Sequence, residues 1–583
     1  MAALTGGRRP FLPGLPSAAV VSLLFHVKSK MGPLTGTHQD GQGGPGSGKL
    51  TELPGLRWAD LGSLRVQAVI VVWADGGECP ATRTSGEERM NIAMLLEMAA
   101  DGMGDRLAVG TPVDGLTFAG LLSRARRSAA AIRASRAERV ALVDRNTPAV
   151  PILLYASGIA GVPFAPVNFR LADDRLRAVL TRLSPAMAVV DDDSLSRMGS
   201  IDGIDLVPRS ALESRLVATE PAEEALVDPE SVAVWLFTSG TSGEPKAALL
   251  RHRHLVSYVL STVEFMAAEP DEATLVSVPA YHVAGMAAVL SATYAGRRLV
   301  YIPQFDPVEW VRVAEGEAVT HAMVVPTMLG RILGAIEERG TKLPALRNLS
   351  YGGGRMPVPV IERAMDLLPH VGFVNAYGLT ETSSTVAVLG PDDHRAAHGS
   401  ADPAERARLG SVGRPLPSLE LEIRDPFGSG VPIGRTGEIH VRGEQIAGEY
   451  LGASALTDDG WFPTNDSGHL DDAGYLFVEG RLDDVIVRGG ENISPGEIED
   501  VLLEHPEVVE AGVTGVPDEE WGEAVAAAVV REPGSAVTEA DLQAWVRRRL
   551  RSSRTPVRVD LREALPHTET GKLLRRVLRD ELS

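Results

Sequence analysis

Residues 232–255 read VAVWLFTSGTSGEPKAALLRHRHL. The apolar run 232–237 is a strand by its β-branched and aromatic content, and it leads directly into Thr238, Ser239, Gly240, Thr241, Ser242, Gly243, Glu244, Pro245 and Lys246. A strand, a Gly-Ser-Thr loop and then a lysine make a cradle for phosphate. Two glycines let backbone N–H groups turn toward an anion, the hydroxyls add donors, and Lys246 adds a point charge. A surface turn rich in small residues has the same composition, so the loop alone leaves both readings open.

On both sides of this loop, short β-branched runs alternate with amphipathic segments. Strands are predicted over 140–144, 164–167, 187–190, 275–278, 299–302, 322–325, 346–351 and 371–375, with helices over 149–160 and 174–183. This is the rhythm of an α/β domain with sheets flanked by helices. From 410 to 443 the pattern changes to closely spaced strands punctuated by Gly and Pro, which predicts a β subregion. A last block of α+β character predicts helices over 495–504, 539–550 and 572–582. The expected organisation is a large domain over 90–482 and a small α+β domain over 483–583.

The chain has 583 residues, 44% of them hydrophobic and 23% charged, with a net charge of −20. That composition suits a globular protein without an integral membrane segment and sets it against nucleic acid, whose phosphates the net charge repels. A single cysteine, Cys79, allows neither an internal disulfide nor a cysteine-based zinc site, which points to a reducing, cytoplasmic location. Residues 1–89 hold 22 Gly and Pro against 77 in the other 494 positions, so the head is read as a disordered or spurious extension. Arg8 and Arg9 precede an apolar stretch at 18–25, but Pro10, Pro13 and Pro16 interrupt the approach and no small-residue cleavage site follows. The segment GGPGSGKL at 43–50 has Leu50 where a magnesium-binding Ser or Thr belongs, and is read as a chance match. Lysine is scarce: it occurs only at 28, 30, 49, 246, 342 and 572, so Lys246 and Lys572 each ask why arginine was not used.

The loop at 238–246 does not stand alone. Further motifs follow in order: SVPAYHVAGM (277–286), YGGGRMP (351–357), NAYGLTE (375–381), GWFPTND (460–466), GRLDDVIVRGGENISPGEIE (480–499) and PHTETGK (566–572). Together they resemble the adenylate-forming superfamily of acyl-CoA synthetases, peptide-synthetase adenylation domains and luciferases, over essentially all of 90–583. Its signature loop is similar to YTSGTTGxPKG; Phe237 replaces the usual Tyr and Ala247 the usual Gly, and neither change removes a phosphate donor.

The resemblance implies roles residue by residue. Thr238, Ser239, Gly240, Thr241, Ser242, Gly243 and Lys246 would hold the triphosphate of ATP, and Tyr377, with Gly353, Gly354, Asn375, Ala376 and Gly378 around it, the adenine. Asp466 and Arg481 would contact the ribose, Thr380 and Glu381 the reacting phosphates, and Glu381 the Mg²⁺. Tyr281, His282 and Gly352 would border the acid pocket, and Lys572 would meet the reacting carboxylate and the α-phosphate. Asp483 matches the hinge, and Arg488, Gly489 and Gly490 would face the thiol tunnel. Two further positions depart from the pattern. Asn465 stands where Gly is usual, and Arg355 where a small or apolar residue is common.

The chemistry these residues serve follows from the carboxylate's weakness as an electrophile. Attack of a bound carboxylate on the α-phosphate of ATP yields an acyl adenylate and pyrophosphate, and a thiol then expels AMP. The implied reaction is acid–CoA ligation, with a fatty acid as the first expectation and aryl or branched acids next. The implied cofactors are ATP, Mg²⁺ and coenzyme A, and the resemblance also admits a carrier protein as acceptor and a homodimer. A non-catalytic binding protein of the same fold would need damaged charge sites, whereas Lys246, Glu381, Asp466, Arg481 and Lys572 are all present.

Overall fold

The computed structural model describes residues 22–26, 67–71, 90–217, 220–222, 226–238, 246–567 and 573–583. Two units are distinguished, Met1–Thr84 and Ser85–Ser583. In the first, the strands Ser22–His26 and Gln67–Val71 pair antiparallel. Cys79 and the GGPGSGKL segment lie outside the described residues.

The second unit begins where helical periodicity does. Asn91 caps the helix Ile92–Met103 by accepting from the Ala93 N–H, which satisfies a donor the first turn leaves orphaned. Two large sheets follow. One has eight strands; Phe164–Pro166, Arg139–Val143, Ala186–Val190 and the edge strand Ile204–Pro208 are parallel, and Val232–Thr238 and Lys246–Arg251 extend it as an antiparallel pair. The other has nine strands and runs parallel through Gly372–Leu379, Asn348–Gly352, His321–Val324, Ala273–Val276 and Arg298–Tyr301, with antiparallel edges. Parallel strands packed on both faces read as unbroken apolar runs, as Ala186–Val190 does with every residue buried.

Helices fill the space between the sheets. Ile92–Met103, Phe118–Ser135, Ala149–Ala160, His252–Thr262 and Val283–Ala295 share one core with Val140 and Phe164 from the first sheet and Val276 and Leu299 from the second. Ala149–Ala160 is apolar all round because it meets protein on every side. A second core covers the far face of the nine-stranded sheet and a third that of the eight-stranded sheet, completing a layered α/β architecture.

The β subregion is a four-stranded antiparallel sheet of Glu420–Arg424, Gly437–Arg442, Phe462–Leu470 and Leu476–Arg481. After it comes a small α+β domain, whose strands Ile486–Arg488, Glu491–Ile493, Val508–Asp518, Gly522–Arg531 and Arg558–Arg562 form one sheet. Its helices are Pro495–Leu503, Glu539–Arg549 and Arg575–Leu582. Among the described residues no helix is long and apolar enough to cross a membrane.

Two expectations are corrected. The strand predicted over 371–375 runs on to Leu379, so Tyr377 lies in a strand and not in a loop after it; pairing with Ser384–Leu389 carries the ladder onward past a bulge. The final helix, predicted from 572, starts at Arg575, because the preceding chain closes back on itself through a bridge between His567 and Leu573.

Candidate active site

The eight-stranded sheet brings the first motif to the site. Lys246 is the first residue of its strand and pairs with Thr238, so the described ends of the first motif lie side by side. Ser239, Gly240, Thr241, Ser242 and Gly243 lie outside the described residues, as does Lys572. On the far side of Lys246–Arg251 the short strand Glu449–Tyr450 pairs through Ala248 and Tyr450. That pairing sets the Tyr450 ring 5.7 Å from the Lys246 ammonium, a cation–π contact. The Tyr450 hydroxyl donates to Glu381 Oε1. Burial first, and then the Glu381 charge, raise the Tyr450 phenol above its ordinary value, so it stays a donor.

Glu381 sits in the 3₁₀ turn Thr380–Thr382 and is only 9% exposed, not a solvated loop carboxylate. Its backbone carbonyl accepts from the N–H groups of Ala447 and Gly448, both at 2.9 Å. Tyr450 takes Oε1, and among the described residues no bonded donor takes Oε2. No cluster of three or more His, Cys, Asp or Glu residues surrounds it among the described residues. A lone carboxylate with a free lone pair fits Mg²⁺, which relies on one or two carboxylates plus phosphate oxygens.

The second group of residues is built by the β subregion. Register places Asp466 directly opposite Arg481 across neighbouring strands, and Arg481 Nη1 donates to Asp466 Oδ1 and to the Thr464 carbonyl, each at 3.1 Å. The other carboxylate oxygen of Asp466 accepts from the Tyr377 hydroxyl at 2.6 Å, a short, charge-assisted bond. Burial and then the Asp466 charge hold the Tyr377 phenol well above its usual value. Strand Gly372–Leu379 carries Tyr377 and runs straight into the turn that carries Glu381, so one segment joins the Lys246–Tyr450–Glu381 group to the Tyr377–Asp466–Arg481 group. Asn465 stands at φ 60°, the left-handed backbone that glycine usually supplies, and its Nδ2 donates to Asp483 Oδ2 at 2.7 Å.

Glycines set the spacing of the two strands beneath this site. A Cβ on Gly378 would stand 2.6 Å from the Ser384 carbonyl carbon and nearer still to its oxygen. Gly352 faces Ala376 with the same lack of room, whereas Gly353 turns the chain at φ 77°. Asn375 spends its side-chain amide on the Ser411 carbonyl at 3.0 Å, inside the fold.

Three predicted groups engage other partners. Tyr281 packs edge-on against Phe169 with ring centroids 6.2 Å apart, and His282, just before helix Val283–Ala295, lies 4.7 Å from the Tyr281 ring. Burial lowers the His282 imidazole to about 4, so it is neutral near pH 7 and offers no fixed charge to an anion. Gly489 and Gly490, at φ 58° and 82°, make the two-residue hairpin between Ile486–Arg488 and Glu491–Ile493. Arg488 donates to the Ser553 carbonyl at 2.7 Å and lies over Trp521. Tyr450, which links Lys246 to Glu381, was missed in the sequence: no motif surrounds it, and only strand pairing delivers it.

Comparison with known proteins identifies the family. The family model described as AMP-binding enzyme matches residues 96–451, and the one described as AMP-binding enzyme C-terminal domain matches 497–572. A feruloyl-CoA synthase of Amycolatopsis sp is 34% identical over 468 residues, 79% of this chain and 92% of the relative. A 2-succinylbenzoate–CoA ligase of Bacillus cereus (strain AH820) is 32% identical over 453 residues, 76% of this chain and 88% of the relative. Among solved structures, ATP-bound MatB from Rhodopseudomonas palustris superposes with a TM-score of 0.74 at 28% identity, covering 84% of this chain and 99% of that one. The chain therefore belongs to the AMP-binding enzyme family, within the acyl-CoA synthetase branch of the adenylate-forming superfamily that its motifs announce.

Proposed function

We propose that this protein activates an aromatic carboxylic acid with ATP, through an acyl adenylate, and transfers the acyl group to coenzyme A. The observation that carries the reading is the pair of polar groups, Lys246–Tyr450–Glu381 and Tyr377–Asp466–Arg481, that the single segment 372–382 joins. They offer a cation for phosphate, a carboxylate for a metal ion and a carboxylate for ribose. Fatty acids were the first expectation; the two curated relatives are named for acids that carry an aromatic ring, and this favours the aryl reading.

In the first step the substrate carboxylate attacks the α-phosphorus of ATP and pyrophosphate leaves. Lys246 and Lys572 offset the charge that develops, Asp466 and Arg481 hold the ribose, and the Tyr377 ring lies against the base. Mg²⁺, held by Glu381 and phosphate oxygens, would supply further neutralisation of the phosphates. No protein nucleophile is needed. In the second step the CoA thiol attacks the acyl carbonyl and AMP departs, after the domain over 483–583 turns about Asp483. The resemblance sets Tyr281 and His282 beside the acid, and a neutral His282 packed on the Tyr281 ring supplies no charge for a second anionic group.

Incubation with ATP, Mg²⁺, CoA and a panel of aryl and straight-chain acids tests this, with pyrophosphate release and thioester mass as readouts. Aryl thioesters are expected. Adenylate without thioester refutes CoA as acceptor, and thioesters from straight-chain acids alone refute the aryl reading.

A further inference from the structure

Two of the positions at which this chain departs from its motif pattern, Arg355 and Asn465, reach residues of the C-terminal segment. Arg355 follows the triple glycine after strand Asn348–Gly352, and its Nη2 donates to Asp500 Oδ2 on helix Pro495–Leu503. The guanidinium lies close over that helix at Gly496, where an added Cβ would stand 3.3 Å from the Arg355 Cζ and nearer still to Nη1. Asn465 reaches Asp483, the residue matched to the hinge. A third bond crosses at the same place, from the Ser494 hydroxyl to the Glu479 carbonyl at 2.7 Å.

The surroundings make Arg355 the countercharge of Asp500. Glu499 and Glu504 add negative charge near Asp500. Arg575 is spent on both oxygens of Glu499 at 2.6 Å, and Arg554 on Glu497 and Glu491, also at 2.6 Å. Around this contact lies a cleft of about 490 Å³, lined by Arg355, Glu479, Ser494, Asp500 and Arg554 among others. A turn about Asp483 that carries helix Pro495–Leu503 off Glu479 must break the Arg355–Asp500 pair and open this cleft.

We propose that Arg355 and Asn465 are positioning residues that tether the C-terminal domain in the orientation described, and so set how often it leaves that orientation during turnover. This rests on the adenylate-and-thioester reading, because two half-reactions are what a turning domain would serve. The tether biases a population and is no lock: a half-exposed ion pair carries little energy, and salt weakens it.

The full-length chain is tested as Arg355→Ala, Arg355→Lys, Asn465→Gly, Asp500→Asn and the charge-reversed pair Arg355→Asp with Asp500→Arg. Asn465→Gly keeps the left-handed turn and removes only the side chain. Melting temperatures verify folding. The first readout is tryptic cleavage across residues 481–488, which needs no activity. The second is the ratio of pyrophosphate-exchange rate to thioester-forming rate. Arg355→Ala, Asn465→Gly and Asp500→Asn are expected to raise cleavage about two- to five-fold and to move the ratio by a similar factor, with the reversed pair and Arg355→Lys returning toward the parent. Cleavage at the parent rate in Arg355→Ala and Asn465→Gly, or no recovery in the reversed pair, overturns the tether. A parent protein that forms no adenylate refutes the functional reading instead, and the cleavage readout still decides the tether.

Discussion

Replacing Gly378 by Ala tests whether the spacing of two strands positions the nucleotide site. The added Cβ would come within 2.6 Å of the Ser384 carbonyl carbon and 3.0 Å of the Thr385 Cα, and closer still to the Ser384 oxygen. All three are backbone atoms, so no side chain can swing aside. Carbon atoms pack comfortably at about 3.5–4.0 Å, so strand Ser384–Leu389 must retreat by about 1 Å from Gly372–Leu379. Overpacking of this kind costs roughly 1–3 kcal/mol, which a chain with several large cores survives. The geometric effect is larger. Tyr377 adjoins the substituted residue, its 2.6 Å bond to Asp466 is lost or lengthened, and Glu381 lies three residues beyond. A displacement of about 1 Å in a reacting constellation costs about 10²-fold in rate. Acid-dependent ATP–pyrophosphate exchange measures kcat/KM for adenylation, and urea unfolding measures the stability cost. Gly354→Ala is the steric control for folding, since its Cβ would meet Pro326 at an ordinary 3.9 Å and the unfolding midpoint should hold. Exchange by Gly378→Ala within about three-fold of the parent, a loss under ~1 kcal/mol, would refute the claim that this spacing positions the site.

Lys572→Ala is expected to cut pyrophosphate exchange by about 10²-fold or more, the scale of one oriented charge stabiliser, and an unchanged rate would remove it from the mechanism. Lys246→Ala should fall in the same range with a higher KM for ATP, because its ammonium lies beside the Glu381–Tyr450 pair; a change in neither constant counts against the phosphate cradle. Burial lowers His252 and His282 to about 4 and His254 to about 3, against 6.5 for an ordinary imidazole. The unfolded chain therefore takes up these protons first on acidification, and stability present above pH 6.5 is lost as pH falls toward 4. Urea midpoints measured across that window should decline, with a shallower slope in His254→Gln; a flat profile would contradict the burial argument.

Much of this protein was legible from residue order alone, because short-range physics wrote it there. The alternation of β-branched runs with amphipathic segments announced the layered sheets, since a strand covered on both faces must be apolar throughout, as Ala186–Val190 is. Asn465 stands where Gly is usual, and its φ of 60° keeps the left-handed backbone that such a position asks for. What could not be read were meetings between distant segments. Tyr377 was expected to offer its ring from a loop, but the ladder with Ser384–Leu389 keeps it in a strand and aims its hydroxyl at Asp466, 89 positions away. Tyr450 joined the site through a two-residue strand with no periodicity of its own, and Arg355 found Asp500 only because Gly496 leaves space between them. Sequence determined which chemical groups this chain possesses and which local shapes each stretch prefers, since propensity, capping and hydrophobic period act over a few residues. Tertiary structure decided which of those groups share a cleft, because strand register and domain contact bring together atoms that no local rule relates.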